Sequence, residues 1–283
     1  MPELPEVETL RRGLEAAVVG RRVCSVALFG ERTVRRQDPA QLVAALSGRL
    51  VSGAARWGKY LVVPLGGGAG DEGGEALVVH LRMSGQLLHV GAGAPLAHHT
   101  RAVIGLDDGS ELRFVDPRTF GELFVADALE ASGRPSALAA LGPDPLVDGI
   151  DADRLAALAK RRRCALKTLL LDQKVLAGIG NIYADEILFR AGLRPARAAC
   201  SLAPVEHGRL VAAIGEVLAA AVAARGSTLS DARYLDLGGA PGSYQEHHAV
   251  YARTGAPCLG CGTPVTRVRV AGRSAHFCRS CQA

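Results

Sequence analysis

Four of the seven cysteines fall in two pairs, Cys258-Leu-Gly-Cys261 and Cys278-Arg-Ser-Cys281, with residues 262–277 between them. Two C-x2-C pairs at this separation read as a tetrahedral zinc site. Four thiolates complete the shell and leave no open position, so the expected cofactor is one structural Zn2+. A disulfide framework would suit an exported chain, and the N-terminus has no basic region followed by an apolar stretch. Cys24, Cys164 and Cys200 are scattered and read as small buried or half-buried residues. Between the pairs, "VTRVRV" alternates, "AGRS" turns and "AHF" returns. This predicts a β-hairpin pinned at its base by the metal, with Arg273 at or near the tip. From there a guanidinium can clamp a phosphate or enter a groove.

The other end of the chain, "MPELPEVETL", concentrates two prolines and three glutamates. Helix initiation explains most of it. Pro5 suits a first helical position, Glu6 and Glu8 favour the positive end of the dipole, and Val7, Leu10, Leu14 and Val18 follow at helical spacing. Pro2 and Glu3 then lie outside the helix without a structural task. Basic residues are also unevenly chosen: of 33, only Lys59, Lys160, Lys167 and Lys174 are lysines. In such a chain a lysine is an uncommon choice, which suggests that one of the four needs a compact ammonium rather than a guanidinium fork.

These groups need elements to hold them. A length of 283 residues favours two domains. Residues 22–126 read as short β segments with no helix between them, including a hairpin signal at "LDDGSEL" and a flexible tip at 66–75. That pattern predicts an antiparallel sandwich or barrel. The Pro/Gly/Asp-rich stretch around 132–153 reads as a junction, after which the pattern turns helical. "DRLAALAKRRRCALKTLLLDQKVLAG" has helical spacing, "IGN" breaks it, and Asn181 reads as the N-cap of the next helix, closed by Gly192 and Pro195. Residues 204–225 form an Ala-rich helix. Two helices meeting at a tight turn, with free N–H groups at the second helix start, make a ready phosphate site. The net charge of +5 is concentrated in the C-terminal half, which suggests an anionic partner. No apolar run is long enough for a membrane helix, so a cytoplasmic protein is expected.

Taken together, "PELPEVETL", "RWGKYL", "HLRMSGQL", "DPRTFG", "LLLDQKVLAGIGNIYADEIL", "YQEHHAVYARTGAPC" and "GRSAHFCRSCQ" resemble the bacterial formamidopyrimidine-DNA glycosylases, which excise oxidised purines. The resemblance runs the whole length. It implies an α+β protein of two domains: an N-terminal β-sandwich with an N-terminal helix, and a C-terminal helix-two-turn-helix bundle with a four-cysteine zinc-finger β-hairpin. The expected boundaries are 1–135 for the catalytic sandwich, 136–152 for a linker, 153–245 for the helix-two-turn-helix domain with a lesion-recognition loop, and 246–283 for the zinc finger.

The resemblance also implies roles. Removal of Met1 makes Pro2 a secondary amine that attacks C1′ of the damaged nucleotide. A Schiff base forms, and β,δ-elimination cuts the strand. Glu3 is the acid/base and Glu6 a supporting carboxylate. Lys59, His80, Asn181 and Arg273 match residues holding the phosphates that flank the lesion. Met83, Arg118 and Phe120 match those that fill the gap in the stack. The implied partner is double-stranded DNA with an oxidised purine opposite cytosine, bound by a monomer in the cytoplasm at the nucleoid. The competing readings are an endonuclease VIII-type glycosylase for oxidised pyrimidines, disfavoured by "PELP" and "DPRTFG", and a non-catalytic zinc-bearing DNA binder, which leaves Pro2 and Glu3 unexplained. Two positions depart from the family pattern: Ala275 stands where Ser or Thr is common, and Ala252 where Gly is frequent.

Overall fold

The structure is a computed structural model that describes residues 1–67, 74–126, 132–229 and 234–283. The chain forms two compact units, Met1–Ala140 with Arg225–Ser243 and Leu141–Ala224 with Tyr244–Ala283.

The first unit opens with α1 (Leu4–Ala17). Its apolar stripe Val7, Leu10 and Leu14 is buried, as the spacing requires. Leu4 is the first helical residue and Pro5 the second, and Glu3 is the N-cap. The expectation that Glu3 has no structural task is therefore corrected: the Glu6 carboxylate reaches back one turn and accepts the Glu3 N–H at 2.7 Å.

Then follow β1 (Val23–Leu28), α2 (Pro39–Leu46), β2 (Leu50–Val51), β3 (Ala55–Trp57), β4 (Tyr60–Gly66), β5 (Ala76–His80), β6 (Gln86–Val90), β7 (Thr100–Leu106), β8 (Glu111–Val115) and β9 (Glu122–Ala126). The helix α2 departs from the all-β reading of this stretch. Asp38 caps it by accepting the Ala40 N–H at 2.7 Å, Pro39 fits its first turn, and Leu42 and Leu46 bury one face. The strands form two antiparallel sheets, ordered β1-β7-β8-β6 and β2-β4-β5-β9, with β3 added beside β4. Val63, Leu77, Val79 and Leu123 of one sheet face Leu87, Ile104, Leu112 and Phe114 of the other across one apolar core, so the sheets form the expected sandwich. The "LDDGSEL" hairpin joins β7 to β8, with Gly109 at φ +83°. Of the tip expected at 66–75, residues 68–73 lie outside the described residues.

The second unit contains α3 (Ala152–Ala159), α4 (Leu166–Leu171), α5 (Asn181–Ala191), α6 (Pro204–Ala223) and a hairpin of β10 (Thr266–Val270) and β11 (Arg273–Phe277). The helical run expected from 153 is interrupted at 160–165, where Ala165 bridges Ala198. The N-cap of α5 is Gly180, extended at φ −126°, and Asn181 is the first helical residue. The Asn181 amide turns instead toward the Ser274 hydroxyl at 3.4 Å. Gly192, at φ +69°, ends α5 as expected. Among the described residues no helix is long and apolar enough to cross a membrane.

Candidate active site and nucleic-acid interface

Pro2, Glu3 and Glu6 are all buried at the start of α1. Glu6 uses both carboxylate oxygens: Oε2 accepts the Glu3 N–H and Oε1 accepts the Ser227 N–H at 2.7 Å. It thereby ties the N-terminal segment to residues more than two hundred positions away. Gly226 makes this approach possible. It sits at φ +78°, and a Cβ there would come within 2.6 Å of Glu6 Oε1. Tyr234 closes the same corner by donating to the Arg225 carbonyl at 3.0 Å. The stretch 227–245, expected to carry the lesion-recognition loop, includes residues 230–233, which lie outside the described residues.

Lys59 occupies the two-residue turn between β3 and β4, after Gly58 at φ +57°. Buried Arg56 braces that turn. Its Nη1 donates to the Gly58 carbonyl at 2.9 Å and its Nε to Glu8 of α1 at 3.2 Å. Burial works to raise the Glu8 pKa, but hydrogen bonds from Arg11 and Arg12 and the charge of Arg56 outweigh it and hold the carboxyl below its usual range. Nothing in the sequence pairs Arg56 with Glu8.

His80 ends β5 opposite Tyr60, whose ring lies 4.3 Å away between centroids. Burial, with the charges of Arg82, Lys59 and Arg36, lowers its pKa to about 3 against the opposing pull of Glu122. The ring is therefore neutral near pH 7. Its Nδ1 accepts the Arg82 N–H at 3.0 Å, which leaves the proton on Nε2 as a donor.

Met83, Arg118 and Phe120 stand on two loops of the first unit and are exposed, Met83 and Phe120 each by 42%. The Arg118 guanidinium lies 4.8 Å above the Phe120 ring centroid. Exposed apolar side chains beside a stacked arginine are what a wedge entering a base stack requires.

The second unit brings Asn181 and the hairpin together. Ala271 and Gly272, at φ +48° and +79°, make the turn, and exposed Arg273 is the first residue after it. Next to it, Ser274 meets the Asn181 amide, whose Oδ1 is buried without a hydrogen-bond partner. A fully buried ion pair anchors the arrangement. Lys167 donates to Asp185 Oδ1 at 2.6 Å and to the Ser274 carbonyl, and Asp185 Oδ2 takes the His276 N–H and its Nδ1, both at 2.9 Å. Glu186 accepts the N–H groups of Ala249, Val250 and Tyr251, although burial still raises its pKa. The scarcity of lysine was the one sequence signal for Lys167.

The sulfurs of Cys258, Cys261, Cys278 and Cys281 all lie within 4.8 Å of one another, with 3.8 Å between Cys258 and Cys281 and 3.5 Å between Cys261 and Cys278. Tetrahedral zinc at about 2.3 Å from each sulfur would separate them by roughly 3.8 Å. The donor set fits one structural zinc. Without a cation the Cys281 thiol keeps its proton and shares it with its neighbours Cys261 and Cys278, which pushes Cys281 up to about 12 while Cys261 falls to about 6; a bound cation would favour ionisation of all four. Gln282 holds the cluster from behind, accepting the Cys278 N–H at 2.8 Å and donating to the Leu193 carbonyl at 2.7 Å.

Comparison with known proteins finds similarity along the whole chain. Residues 1–123 match the formamidopyrimidine-DNA glycosylase N-terminal domain, residues 141–233 the H2TH domain of the same enzymes, and residues 255–283 the zinc finger found in FPG and IleRS. The chain is 47% identical to the formamidopyrimidine-DNA glycosylase of Moorella thermoacetica over 95% of both chains. It is 44% identical to that of Herpetosiphon aurantiacus over the full length of both. The crystal structure of the MutM (Fpg) protein from Thermus thermophilus is similar at TM-score 0.85 and 44% identity, over 99% of this chain and 98% of that one. Lactococcus lactis Fpg in complex with DNA containing an abasic site is similar at TM-score 0.86 and 31% identity, over 99% of both. The chain belongs to the formamidopyrimidine-DNA glycosylase family.

Proposed function

We propose that this DNA glycosylase excises oxidised purines from duplex DNA and then cuts the strand, with Pro2 as nucleophile. Once Met1 is removed, the Pro2 nitrogen is a secondary amine. The reference pKa of an α-amino group, roughly 7.7–8.0, leaves a useful fraction unprotonated near neutrality. The nitrogen bonds to C1′ and the glycosidic bond breaks, so the base departs. Glu3 gives its proton to the ring oxygen, the sugar opens to an imine, and proton removal next to it drives β- and then δ-elimination of the flanking phosphates. Lys59 and the Nε2–H of His80 hold phosphates from the first unit, and Asn181 and Arg273 from the second. Met83, Arg118 and Phe120 fill the gap left by the extruded nucleotide, Arg118 facing the orphaned cytosine. The enzyme acts as a monomer at the cytoplasmic nucleoid. Of the segment 153–245 expected as its DNA-binding domain, residues 225–243 belong to the first unit, so 153–224 serve that role and 246–283 are the zinc finger.

The observation that carries this reading is the start of α1. A buried Pro2–Glu3 pair is fixed by Glu6, which also grips Ser227. Helix capping accounts for the Glu6 bond to the Glu3 N–H but not for its second bond, to Ser227. Glu3→Gln is expected to bind 8-oxoguanine duplex with near-normal affinity while base excision falls by about 100-fold or more. Near-normal turnover would remove Glu3 from the mechanism. Affinity should fall steeply with salt, because phosphate contacts dominate binding.

A further inference from the structure

A single carboxylate outside the groups assigned above links the two loops that carry the wedge. Asp116 follows β8 and is fully buried. Its Oδ1 accepts the Ser84 hydroxyl at 2.6 Å and the Arg118 N–H at 3.1 Å, and its Oδ2 accepts the Gly121 N–H at 2.7 Å. Its backbone is held as well: its N–H donates to the His99 carbonyl at 3.0 Å, and its carbonyl accepts from Arg101 Nε at 2.9 Å. Ser84 is the neighbour of Met83, whereas Arg118 and Gly121 bracket Phe120. The same carboxylate therefore touches both loops, although they are more than thirty residues apart in sequence.

Two further features match across the loops. Each has a non-glycine residue in the left-handed region directly beside a wedge side chain: Arg82 at φ +53° before Met83, and Thr119 at φ +53° before Phe120. For a β-branched threonine this conformation is costly and persists only where the surroundings impose it. Each loop also has a glycine pressed on the Phe114 ring. A Cβ on Gly85 would lie 3.0 Å from Phe114 Cζ, and one on Gly121 only 2.4 Å. Both loops thus rest on one ring and hang from one carboxylate. Arg35 closes the second loop from outside by donating to the Thr119 carbonyl at 2.5 Å. Burial of apolar surface does not explain this construction, because the side chains it displays, Met83 and Phe120, are the exposed ones.

We propose that Asp116 and Ser84 are positioning residues that lock the two loops into one preformed wedge, so that Met83 and the Arg118–Phe120 pair enter the duplex together. The proposal rests on the reading of these three residues as gap fillers. A preformed wedge has no loop ordering left to do when the nucleotide leaves the stack, and so its benefit lies in the extrusion step.

The test separates extrusion from chemistry. Extrusion is followed by stopped-flow fluorescence of 2-aminopurine placed beside 8-oxoguanine in a duplex. Chemistry is followed by borohydride trapping on a single-stranded oligonucleotide with one abasic site, which has no gap to fill. Ser84→Ala should slow extrusion about tenfold and Asp116→Asn more, since each weakens a hydrogen bond to a buried carboxylate. Single-strand trapping should stay within about twofold of the parent. Met83→Ala and Phe120→Ala should be coupled in the parent protein and additive in the Ser84→Ala background. Normal extrusion by Ser84→Ala, with Met83→Ala and Phe120→Ala both slow, would overturn the tie and leave the gap-filling role standing. Equal losses in extrusion and trapping would overturn it too, by assigning the tie to general stability. Normal extrusion by Met83→Ala and Phe120→Ala would overturn the gap-filling role and the proposal with it. Ser84→Ala carries the test if Asp116→Asn fails to fold.

Discussion

The two units display the residues proposed to meet DNA on similar devices and brace them by different means. In the first unit, Met83 and Phe120 each follow a residue in the left-handed region, and the loops are held by uncharged donors gathered on Asp116. In the second unit, Arg273 follows a turn with two such residues, but the hairpin is braced at its base by four cysteines and along its strand by the Lys167–Asp185 ion pair. One device is complete within the protein. The other depends on a cation at each of two points, a metal and a buried ammonium. The contrast teaches that a short strained turn can be fixed either by hydrogen bonds or by charge, and that the two should fail under different conditions.

Metal removal should break the symmetry most sharply. Chelation, or Cys278→Ala, is expected to weaken DNA binding by about 100-fold or more, because a structural zinc site is coupled to the folding of the segment that carries it. Trp57, the single tryptophan, lies in the first unit and should keep its emission. Fluorescence anisotropy and tryptophan emission on the same sample check both halves, and unchanged affinity would sever the zinc-hairpin argument.

Next comes the buried ion pair. Lys167→Ala leaves Asp185 without its ammonium at a site with no exposure, and should cost about 3–5 kcal/mol. Urea titration reads this directly. A loss below about 1 kcal/mol would show that the hairpin does not depend on that charge.

His80 sharpens the first-unit half. Its pKa in the fold, about 3, lies below the ordinary 6.5, so the folded protein resists its protonation. The stability tied to the neutral ring is fully present above about pH 6.5 and is lost as pH falls toward 3. Nitrogen-detected NMR at pH 6 should show a neutral ring with its proton on Nε2. An imidazolium signal there would contradict the geometry.

The smallest effect is expected at Ala252, in the segment gripped by Glu186. It sits at φ +59°, in the left-handed region. Ala252→Gly should relieve that strain and stabilise the protein by about 0.5–1 kcal/mol, read as a raised midpoint of urea unfolding. A lowered midpoint would mean that the alanine costs nothing there.

These contrasts also mark what could be read in the sequence. The zinc cysteines were legible because ligand spacing is local, and so was the hairpin between them, since alternation and an Ala-Gly turn are enough to define it. The sandwich was legible as strand runs, but α2 was not, although Asp38, Pro39 and Gln41 form a helix start. Its short apolar run was absorbed into the surrounding β pattern. Asn181 was misplaced by one position because a polar residue after glycine resembles a cap, and only the fold shows its amide turned to Ser274. Contacts distant in sequence left almost no trace. Glu6 with Ser227, Asp116 with Ser84 and Asp185 with His276 each join residues whose separation follows from topology, and only the rarity of lysine hinted at Lys167.

The central claim is that Pro2 is the nucleophile of a purine-directed glycosylase. Its most direct test is borohydride trapping on duplex DNA carrying one 8-oxoguanine opposite cytosine, with a thymine-glycol duplex in parallel and peptide mapping of the adduct. Protein with Met1 confirmed removed should form a covalent adduct at its N-terminal peptide, strongest with 8-oxoguanine. An adduct mainly on thymine glycol would keep the Pro2 chemistry and contradict the purine preference. No adduct on either duplex would contradict the claim itself.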